Sequence, residues 1–195
     1  MTMAKTNRRH RSTALLIIDF INHFRFPDGV KLARRAVSAA RATAELKAYL
    51  RQRGCPCIYA NDNFGAWNSE FSELIVECER QPGPSADIVA LLRPGRDDLR
   101  MLKPRHSAFY GTPLEFILEE LGTSTLIIAG IAVDMCVMAT AQDAHMRKFK
   151  MSIPANCIAG FNAAHEKTAL EVMARTLRVN TTPYRHRSLR GRTGE

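Results

Sequence analysis

Three residues whose side chains can perform acyl-transfer chemistry follow three separate apolar segments of this 195-residue chain. Asp19 directly follows one apolar run, Lys103 follows another, and Cys136 lies a few residues beyond a third. A thiol can attack a carbonyl carbon, a carboxylate can take the thiol proton, and an ammonium group can stabilise the resulting anion. Each residue alone also has a structural explanation, such as a small buried side chain for the cysteine. Together they predict nucleophilic catalysis.

The elements between these residues predict how they come together. Strands are predicted at 13–18, 57–60, 98–102, 125–130 and 151–154, and helices at about 31–53, 113–121, 135–148 and 163–178. Strands separated by helices favour a parallel sheet covered on both faces, which is a three-layer α/β fold. Ligands of such sheets bind beyond the carboxyl ends of the strands, so we expect the three residues to meet there.

The turn that carries the cysteine has a predicted geometry of its own. If Asp134 caps the helix that follows, Cys136 lies in the first helical turn, where free N–H groups and the helix dipole lower the pKa of a thiol. The Lys103 ammonium is expected to lower it further. The sequence from Thr112 to Glu115 predicts a second capped helix start, with a capping box. Residues 61–97 are expected to be irregular apart from a helical turn or two at 70–79.

Most of the net charge of +9 lies near the two ends of the chain. Residues 1–11 carry +4, residues 178–195 carry another +4, and the rest is close to neutral. We therefore predict one domain over residues 12–180 with basic tails at 1–11 and 181–195. Few aromatic residues lie among the tail arginines, so nucleic acid is an unlikely partner. An alternative hypothesis is a hydrolase-like scaffold whose tails bind an acidic partner without catalysis, with an affinity that falls steeply with salt.

Other functional classes find little support in the sequence. Five cysteines are an odd number, and neither they nor the six histidines are spaced as in a common zinc site, so no metal and no cofactor is expected. No GxGxxG motif follows the first strand to hold a dinucleotide. The sequence shows neither a membrane-spanning run nor a signal peptide, and a cytoplasmic location is the expectation.

Three segments, taken in order, resemble the isochorismatase-like cysteine hydrolase superfamily. They are residues 15–20 (LLIIDF), 103–109 (KPRHSAF) and 130–144 (GIAVDMCVMATAQDA), of which the last is long and specific. The resemblance covers roughly residues 13–175. It implies a Rossmann-like, six-stranded parallel sheet flanked by helices. It also implies hydrolysis of a small-molecule amide or ureide through a thioester on the cysteine.

The resemblance also assigns roles to individual residues. It implies that Cys136 is the nucleophile, Asp19 the general base, and Lys103 the group that stabilises the thiolate and orients the carboxylate. It implies a cis peptide bond between Ile131 and Ala132, which directs the N–H groups of Ala132 and Cys136 toward the substrate oxygen as an oxyanion hole.

The sequence also departs from the family pattern. Nicotinamidases of this superfamily bind a metal through an Asp and two His after the second strand, whereas residues 61–67 here read NDNFGAW and contain no histidine. This difference points to a metal-free member. Val133 stands where many relatives carry Thr, and Asn156 where many carry Asp. Isochorismatases that cleave a vinyl ether commonly lack the cysteine, so Cys136 points away from that reaction.

Loops at the same edge are expected to supply the substrate-binding walls. The candidates are polar and aromatic residues: Asn22, Phe24, Phe26, Asn63, Trp67, Phe109 and Tyr110. Relatives form dimers and tetramers, and the apolar side chains of Phe71, Leu74, Ile75 and Val76 are expected to be exposed, so we also predict a homo-oligomer.

Overall fold

The computed structural model describes residues 12–185, and in it the chain forms a parallel sheet between two layers of helices. The strands are β1 (Thr13–Ile18), β2 (Cys57–Asp62), β3 (Leu99–Lys103), β4 (Thr125–Ile131), β5 (Lys150–Ser152) and β6 (Ile158–Ala159). The helices are α1 (Gly29–Arg51), α2 (Phe71–Glu79), α3 (Pro84–Leu92), α4 (Leu114–Glu120), α5 (Met138–Met146) and α6 (Ala163–Thr176), with a π-helical turn at Val133–Val137. The predicted fold class is confirmed.

The three strands that lead to the candidate site are β1, β3 and β4. In the sheet β1 and β4 are neighbours, and β2 lies between β1 and β3. The order of the sheet is β3-β2-β1-β4-β5, β6 also pairs with β4, and every pairing is parallel. All carboxyl ends therefore meet at one edge. Residues 13–18 alternate between the two cores, because successive side chains of a strand point to opposite faces. Leu15 and Ile17 pack under α1–α3, and Leu16 and Ile18 pack under α4–α6.

One glycine sets the spacing between the two central strands. Gly130 has a φ of 155° and pairs with Ile18 across the β1–β4 ladder. A Cβ at this position would lie 2.5 Å from the Ile18 carbonyl oxygen and 2.7 Å from the Ile18 Cβ. No other residue fits without separating the strands, so the glycine holds them in close contact.

The segment 61–97 is more ordered than its composition suggested. Two helices, α2 and α3, occupy much of it. The first begins with a reciprocal capping box between Glu70 and Glu73, and the second has Pro84 in its first turn. Their apolar faces pack on the sheet, so Leu74 and Ile75 are buried rather than exposed, and only Val76 of that group is largely open to solvent. The surface proposed for self-association is therefore smaller than expected.

Two details at the helix and domain ends differ from the expectations. Thr112 Oγ1 accepts the Leu114 N–H at 3.2 Å, but Glu115 pairs with Arg147 at 2.9 Å, so the predicted capping box does not form. Beyond residue 180, Tyr184 exchanges two hydrogen bonds of 2.8 Å with Asn156, and the chain stays on the body up to that point. The tails at 1–11 and 186–195 lie outside the described residues. Among residues 12–185 no helix is both long and apolar enough to span a membrane.

Candidate active site

The carboxyl edge of the sheet brings Asp19, Lys103 and Cys136 together. Asp19 follows β1 in a left-handed conformation with φ of 54°, Lys103 is the last residue of β3, and Cys136 lies in the π-helical turn after β4. Since β2 separates β3 from β1, the long lysine side chain spans the end of β2 to reach the carboxylate. Three separate strands thus bring the three side chains together.

Lys103 is the centre of this cluster. Its Nζ lies 2.8 Å from Asp19 Oδ2 and donates to Cys136 Sγ at 3.4 Å and to the Arg105 carbonyl oxygen at 3.2 Å. The three ammonium protons therefore have three acceptors. Asp62 Oδ2 is further away at 3.7 Å. Lys103 is 0% exposed, Asp19 4% and Cys136 8%, so these interactions act largely out of water.

Burial dominates the acid–base properties of the carboxylate. It raises the pKa of Asp19 above its ordinary value, although the Lys103 charge, the thiol and the Asp62 N–H, which donates to Oδ1 at 2.6 Å, all lower it. For Lys103, burial favours the neutral amine, but the electrostatic interactions with Asp19 and Cys136 and the hydrogen bond to Asp19 outweigh it and raise its pKa. The ammonium form is therefore favoured, beside a carboxylate that is more basic than that of an ordinary aspartate.

The expected lowering of the thiol pKa is wrong. Burial and the Asp19 carboxylate raise the pKa of Cys136, and Lys103 opposes them only in part. The helix-start argument overlooked that a nearly buried thiol beside a carboxylate loses more from desolvation and repulsion than one ammonium restores. The raised pKa favours the thiol form of Cys136 over the thiolate.

The turn around Cys136 also differs from the predicted helix start. It is π-helical: the Ala132 carbonyl oxygen accepts from the N–H groups of Met135 at 3.1 Å and Val137 at 3.3 Å. Ala132 is the residue that caps this turn, and Asp134 does not cap it. The Asp134 carboxylate instead lies 3.2 Å from Nδ1 of His165 on α6. The preceding Ile131–Ala132 peptide bond is cis.

A cavity of about 380 Å³ opens above this cluster. Asp19 and Cys136 lie in its wall together with Asp62 and His106, and most of its other lining is apolar: Phe26, Pro27, Leu32, Phe64, Ile131, Ala132, Met135 and Phe161, with Asn22. A second cavity of about 330 Å³ lies next to it, lined by residues 104–106 and by Asp62, Asn63, Gly65 and Trp67. The volume and lining suit a small molecule with an apolar part.

Comparison with known proteins gives this site a context. Residues 13–183 match the family model of the isochorismatase domain. The chain belongs to the isochorismatase family. Over 164 residues it is 39% identical to the uncharacterized isochorismatase family protein YaaI of Bacillus subtilis. The alignment covers 84% of this chain and 90% of that protein.

Two further relatives have named activities. The ureidoacrylate amidohydrolase RutB of Methylobacterium radiotolerans is 28% identical over 163 residues, covering 71% of this chain and 63% of the relative. The crystal structure of the nicotinamidase SaPncA from Staphylococcus aureus superposes with a TM-score of 0.69 at 20% identity, over 89% of this chain and 98% of that one. The likeness to the nicotinamidase concerns the fold.

Several residues predicted to bind substrate do reach these cavities in this isochorismatase-family protein. Asn22 and Phe26 line the first cavity, and Asn63 and Trp67 line the second. Asn22 is 5% exposed, and its Oδ1 accepts the Phe24 N–H at 2.7 Å, so it also shapes the loop after β1. Trp67 is 78% exposed at the outer rim.

Three others are placed elsewhere. Phe24 is buried in the core under α1–α3. Phe109 is buried in the opposite core, where its ring lies 6.0 Å from Phe149. Tyr110 is exposed and lines neither cavity. Aromatic residues in loops near the strand ends were expected to face the substrate, but the apolar rings of Phe24 and Phe109 turn into the two cores instead.

Two residues of the site were missed. His106 lies with its Nδ1 3.5 Å from Cys136 Sγ, and Asp62 faces both Lys103 and Asp19. Both follow a strand at the carboxyl edge, and that position was the available signal, because it is the argument that identified Asp19 and Lys103. In the described part of this family member, no three His, Cys, Asp or Glu side chains are grouped as metal ligands.

Proposed function

We propose that this isochorismatase-family protein hydrolyses a small amide or ureide C–N bond through a thioester on Cys136. The observation that carries the proposal is the position of Lys103: one buried ammonium contacts both the Asp19 carboxylate and the Cys136 sulfur beneath a cavity. The Asp19 carboxylate alone neutralises the charge of the buried Lys103 ammonium, so the contact between Lys103 and the thiol is not required to stabilise the fold.

The charges of the cluster explain how a protonated thiol can act as nucleophile. At rest the buried charges are the Asp19 anion and the Lys103 cation. When the thiol proton moves to Asp19, the anion moves to Cys136 and the net charge is unchanged. Lys103 touches both positions, so the cation stabilises the anion before and after transfer. Because the pKa of Asp19 is raised, it lies closer to the pKa of the thiol, and this reduces the free-energy cost of the proton transfer.

The reaction then follows in two halves. The thiolate attacks the carbonyl carbon, a second acid of the site gives a proton to the nitrogen as the C–N bond breaks, and a thioester remains on Cys136. Water attacks the thioester and gives a proton to the conjugate base of that acid, the C–S bond breaks, and Asp19 returns its proton to the thiolate. The products are a carboxylic or carbamic acid and an amine or ammonia.

The oxyanion formed in each half needs hydrogen-bond donors. We propose the N–H groups of Ala132 and Cys136 for this role, since both residues line the cavity at the cis peptide bond and the turn that follows it. Donors fixed by the backbone require no rearrangement when the negative charge develops.

Two observations support the proposed substrate class. The named activity of RutB is ureidoacrylate amidohydrolase, and the sequence match to it spans most of the domain. The cavity of about 380 Å³ has a mainly apolar wall with a few polar groups near the sulfur. We infer a small acyl or ureido compound with an apolar part, such as an unsaturated ureido acid.

The test is a panel of ureido acids, carbamoyl amino acids and simple amides, with ammonia release as the measure. Wild-type protein is expected to turn over at least one of them, and intact-mass spectrometry after rapid quenching should show the acyl group on Cys136. The variant Cys136→Ala should lose all hydrolysis. Cys57→Ala, a buried thiol at the opposite end of β2, is the matched control and should keep it. Activity in Cys136→Ala would overturn the mechanism.

A further inference from the structure

A histidine that the proposed mechanism does not use lies against the reacting sulfur. His106 Nδ1 is 3.5 Å from Cys136 Sγ, and Lys103 Nζ is 3.4 Å from the same atom. Lys103 is fully buried, whereas His106 is exposed. The sulfur therefore has one buried cationic neighbour and one imidazole neighbour that is open to the cavity.

The position of His106 relative to the two cavities shows what it can reach. Of the residues that line either cavity, only His106 and Asp62 line both. A carbonyl carbon in contact with Cys136 Sγ has two substituents, the acyl side and the leaving nitrogen. With one substituent in each cavity, the bond that breaks lies beside the imidazole. Imidazole is the side chain best suited to give and take a proton near neutral pH.

We propose that His106 is a further catalytic residue, which protonates the leaving nitrogen and then activates the water that cleaves the thioester. This inference rests on the cysteine mechanism proposed above. It divides the proton transfers between two groups: Asp19 holds the thiol proton, and His106 handles the protons of nitrogen and water.

The proton balance closes over one cycle. Asp19 takes the proton of Cys136, and protonated His106 gives its proton to the nitrogen as the C–N bond breaks. Neutral His106 then takes a proton from water while the water oxygen attacks the thioester carbonyl. When the C–S bond breaks, the thiolate recovers its proton from Asp19. His106 ends the cycle protonated, as it began.

Several charged groups lie around the imidazole. Asp62 and Arg105 line the second cavity together with His106. Lys103 contacts the Cys136 sulfur, and Asp19 contacts Lys103. A pH–rate profile will therefore report this set as a whole. For that reason the test compares leaving groups rather than relying on pH.

The experiment uses two probes with the same acyl group, 4-nitrophenyl acetate and 4-nitroacetanilide. Nitrophenolate leaves without a proton, whereas the anilide nitrogen needs one. In His106→Gln, we expect the first-turnover burst of nitrophenolate, which reports acylation of Cys136, to stay within about threefold of wild type, and release of nitroaniline to be slower by about 100-fold or more, since general acids contribute roughly 10²–10⁴-fold. Steady-state ester turnover should also slow, because both probes pass through the same acetyl thioester. Added imidazole should restore part of the anilide rate in His106→Gly. His145→Gln, an exposed histidine that lines neither cavity, is the matched control and should leave both rates unchanged.

Each result has one meaning. An equal loss in the nitrophenolate burst and in nitroaniline release, or no loss on the anilide, would overturn the role of His106 and leave the cysteine mechanism intact. The cysteine mechanism is tested separately by Cys136→Ala, which must lose both activities. Wild-type protein that cleaves neither probe, or Cys136→Ala that cleaves both, would count against the cysteine mechanism and the role of His106 together.

Discussion

Strand β3 has a buried lysine–aspartate pair at each of its ends, and the two pairs differ in what surrounds them. At the amino end Asp98 lies 2.6 Å from Lys47 Nζ, and at the carboxyl end Lys103 Nζ lies 2.8 Å from Asp19. The lengths are similar, and both pairs are largely out of water. Contact distance and burial alone therefore do not separate a structural pair from a reactive one.

The difference lies in the remaining partners. Lys47 Nζ also bonds the Tyr59 hydroxyl at 2.8 Å, that hydroxyl donates to the Leu92 carbonyl oxygen at 2.8 Å, and Asp98 accepts the Gly95 N–H at 2.6 Å. These partners are groups that stay in place. At the other end one partner is a thiol that lies in the wall of a cavity. The first pair connects α1 to the sheet, and the second lies beside the sulfur of the proposed nucleophile.

The largest expected effect is on hydrolysis and separates the two carboxylates. Asp19→Asn keeps the shape of the side chain but removes the base, so we expect kcat/KM to fall by about 10²–10⁴-fold. Asp98→Asn should change it by less than about threefold, because Asp98 contacts no reacting group. Steady-state kinetics on the substrate found in the panel measures both. Comparable losses in the two variants would show that both pairs serve only to hold the fold.

The next effect is on stability and concerns Lys47. Lys47→Met leaves the Asp98 carboxylate buried without its cation, and we expect the free energy of unfolding to fall by about 3–5 kcal/mol. Urea denaturation monitored by circular dichroism measures this change. Activity per folded molecule should remain that of the wild type. An unchanged denaturation midpoint would mean that the amino-end pair does not stabilise the domain.

A smaller effect is expected for the hydroxyl that completes the amino-end network. Tyr59→Phe removes the acceptor of Lys47 and the donor to Leu92, so it should lower the free energy of unfolding by about 1–3 kcal/mol without affecting hydrolysis. Thermal and urea unfolding at one pH give the change. In Lys47→Met the same hydroxyl deletion should cost less, because half of its bonds are already gone.

The smallest expected effect concerns the carboxyl-end pair and is a change in the pH at which the Cys136 thiol reacts with iodoacetamide. Because burial and Asp19 raise the pKa of Cys136 above the ordinary thiol value of 9.0, iodoacetamide labelling of wild-type Cys136 should increase only above that pH. Asp19→Asn removes the repelling carboxylate and leaves Lys103, so the midpoint should move down by about one pH unit, a roughly tenfold gain in thiolate below it. Peptide mass spectrometry follows each cysteine, with Asp98→Asn as the control. A midpoint well below 9 in the wild type would contradict the proposed protonated resting thiol.

The raised pKa of Cys136 also determines how the free energy of unfolding depends on pH. A thiol whose pKa is raised on folding holds its proton more tightly in the folded state. Its contribution to stability is therefore complete below the unfolded value of about 9 and decreases as the pH rises above it. Cys136→Ala should remove that part of the alkaline loss of stability.

The sequence was informative where a pattern depends on the chain alone. The apolar runs before Asp19 and in β4 predicted strands buried on both faces, and parallel topology then brought the reactive residues to one edge. Helix α2 was predicted as a helical turn or two at 70–79, whereas α3 was missed because Pro, Gly and Ser dominate the composition around it, although Pro84 was a start signal. β6, with two residues, is too short for any periodicity to reveal.

What the sequence could not supply was the local environment of the site. The pKa of Cys136 depends on how much water reaches the sulfur and on its contacts with Asp19, and neither can be read from spacing. His106 follows Lys103 by three residues, but its contact with the sulfur depends on the path of the loop. Phe109 lies in the same loop and turns into the core instead.

The close contact between Gly130 and Ile18 limits how this protein could be altered in the laboratory. The strands that carry Asp19 and Cys136 are adjacent, and their backbones touch at this position. A library that varies the cavity wall can change the accepted substrate, since residues such as Phe26 and Phe161 stand on loops. A library that varies position 130 would move Cys136 relative to Asp19, so we expect its variants to be inactive on every substrate. Directed evolution can therefore reshape the rim while this glycine stays fixed.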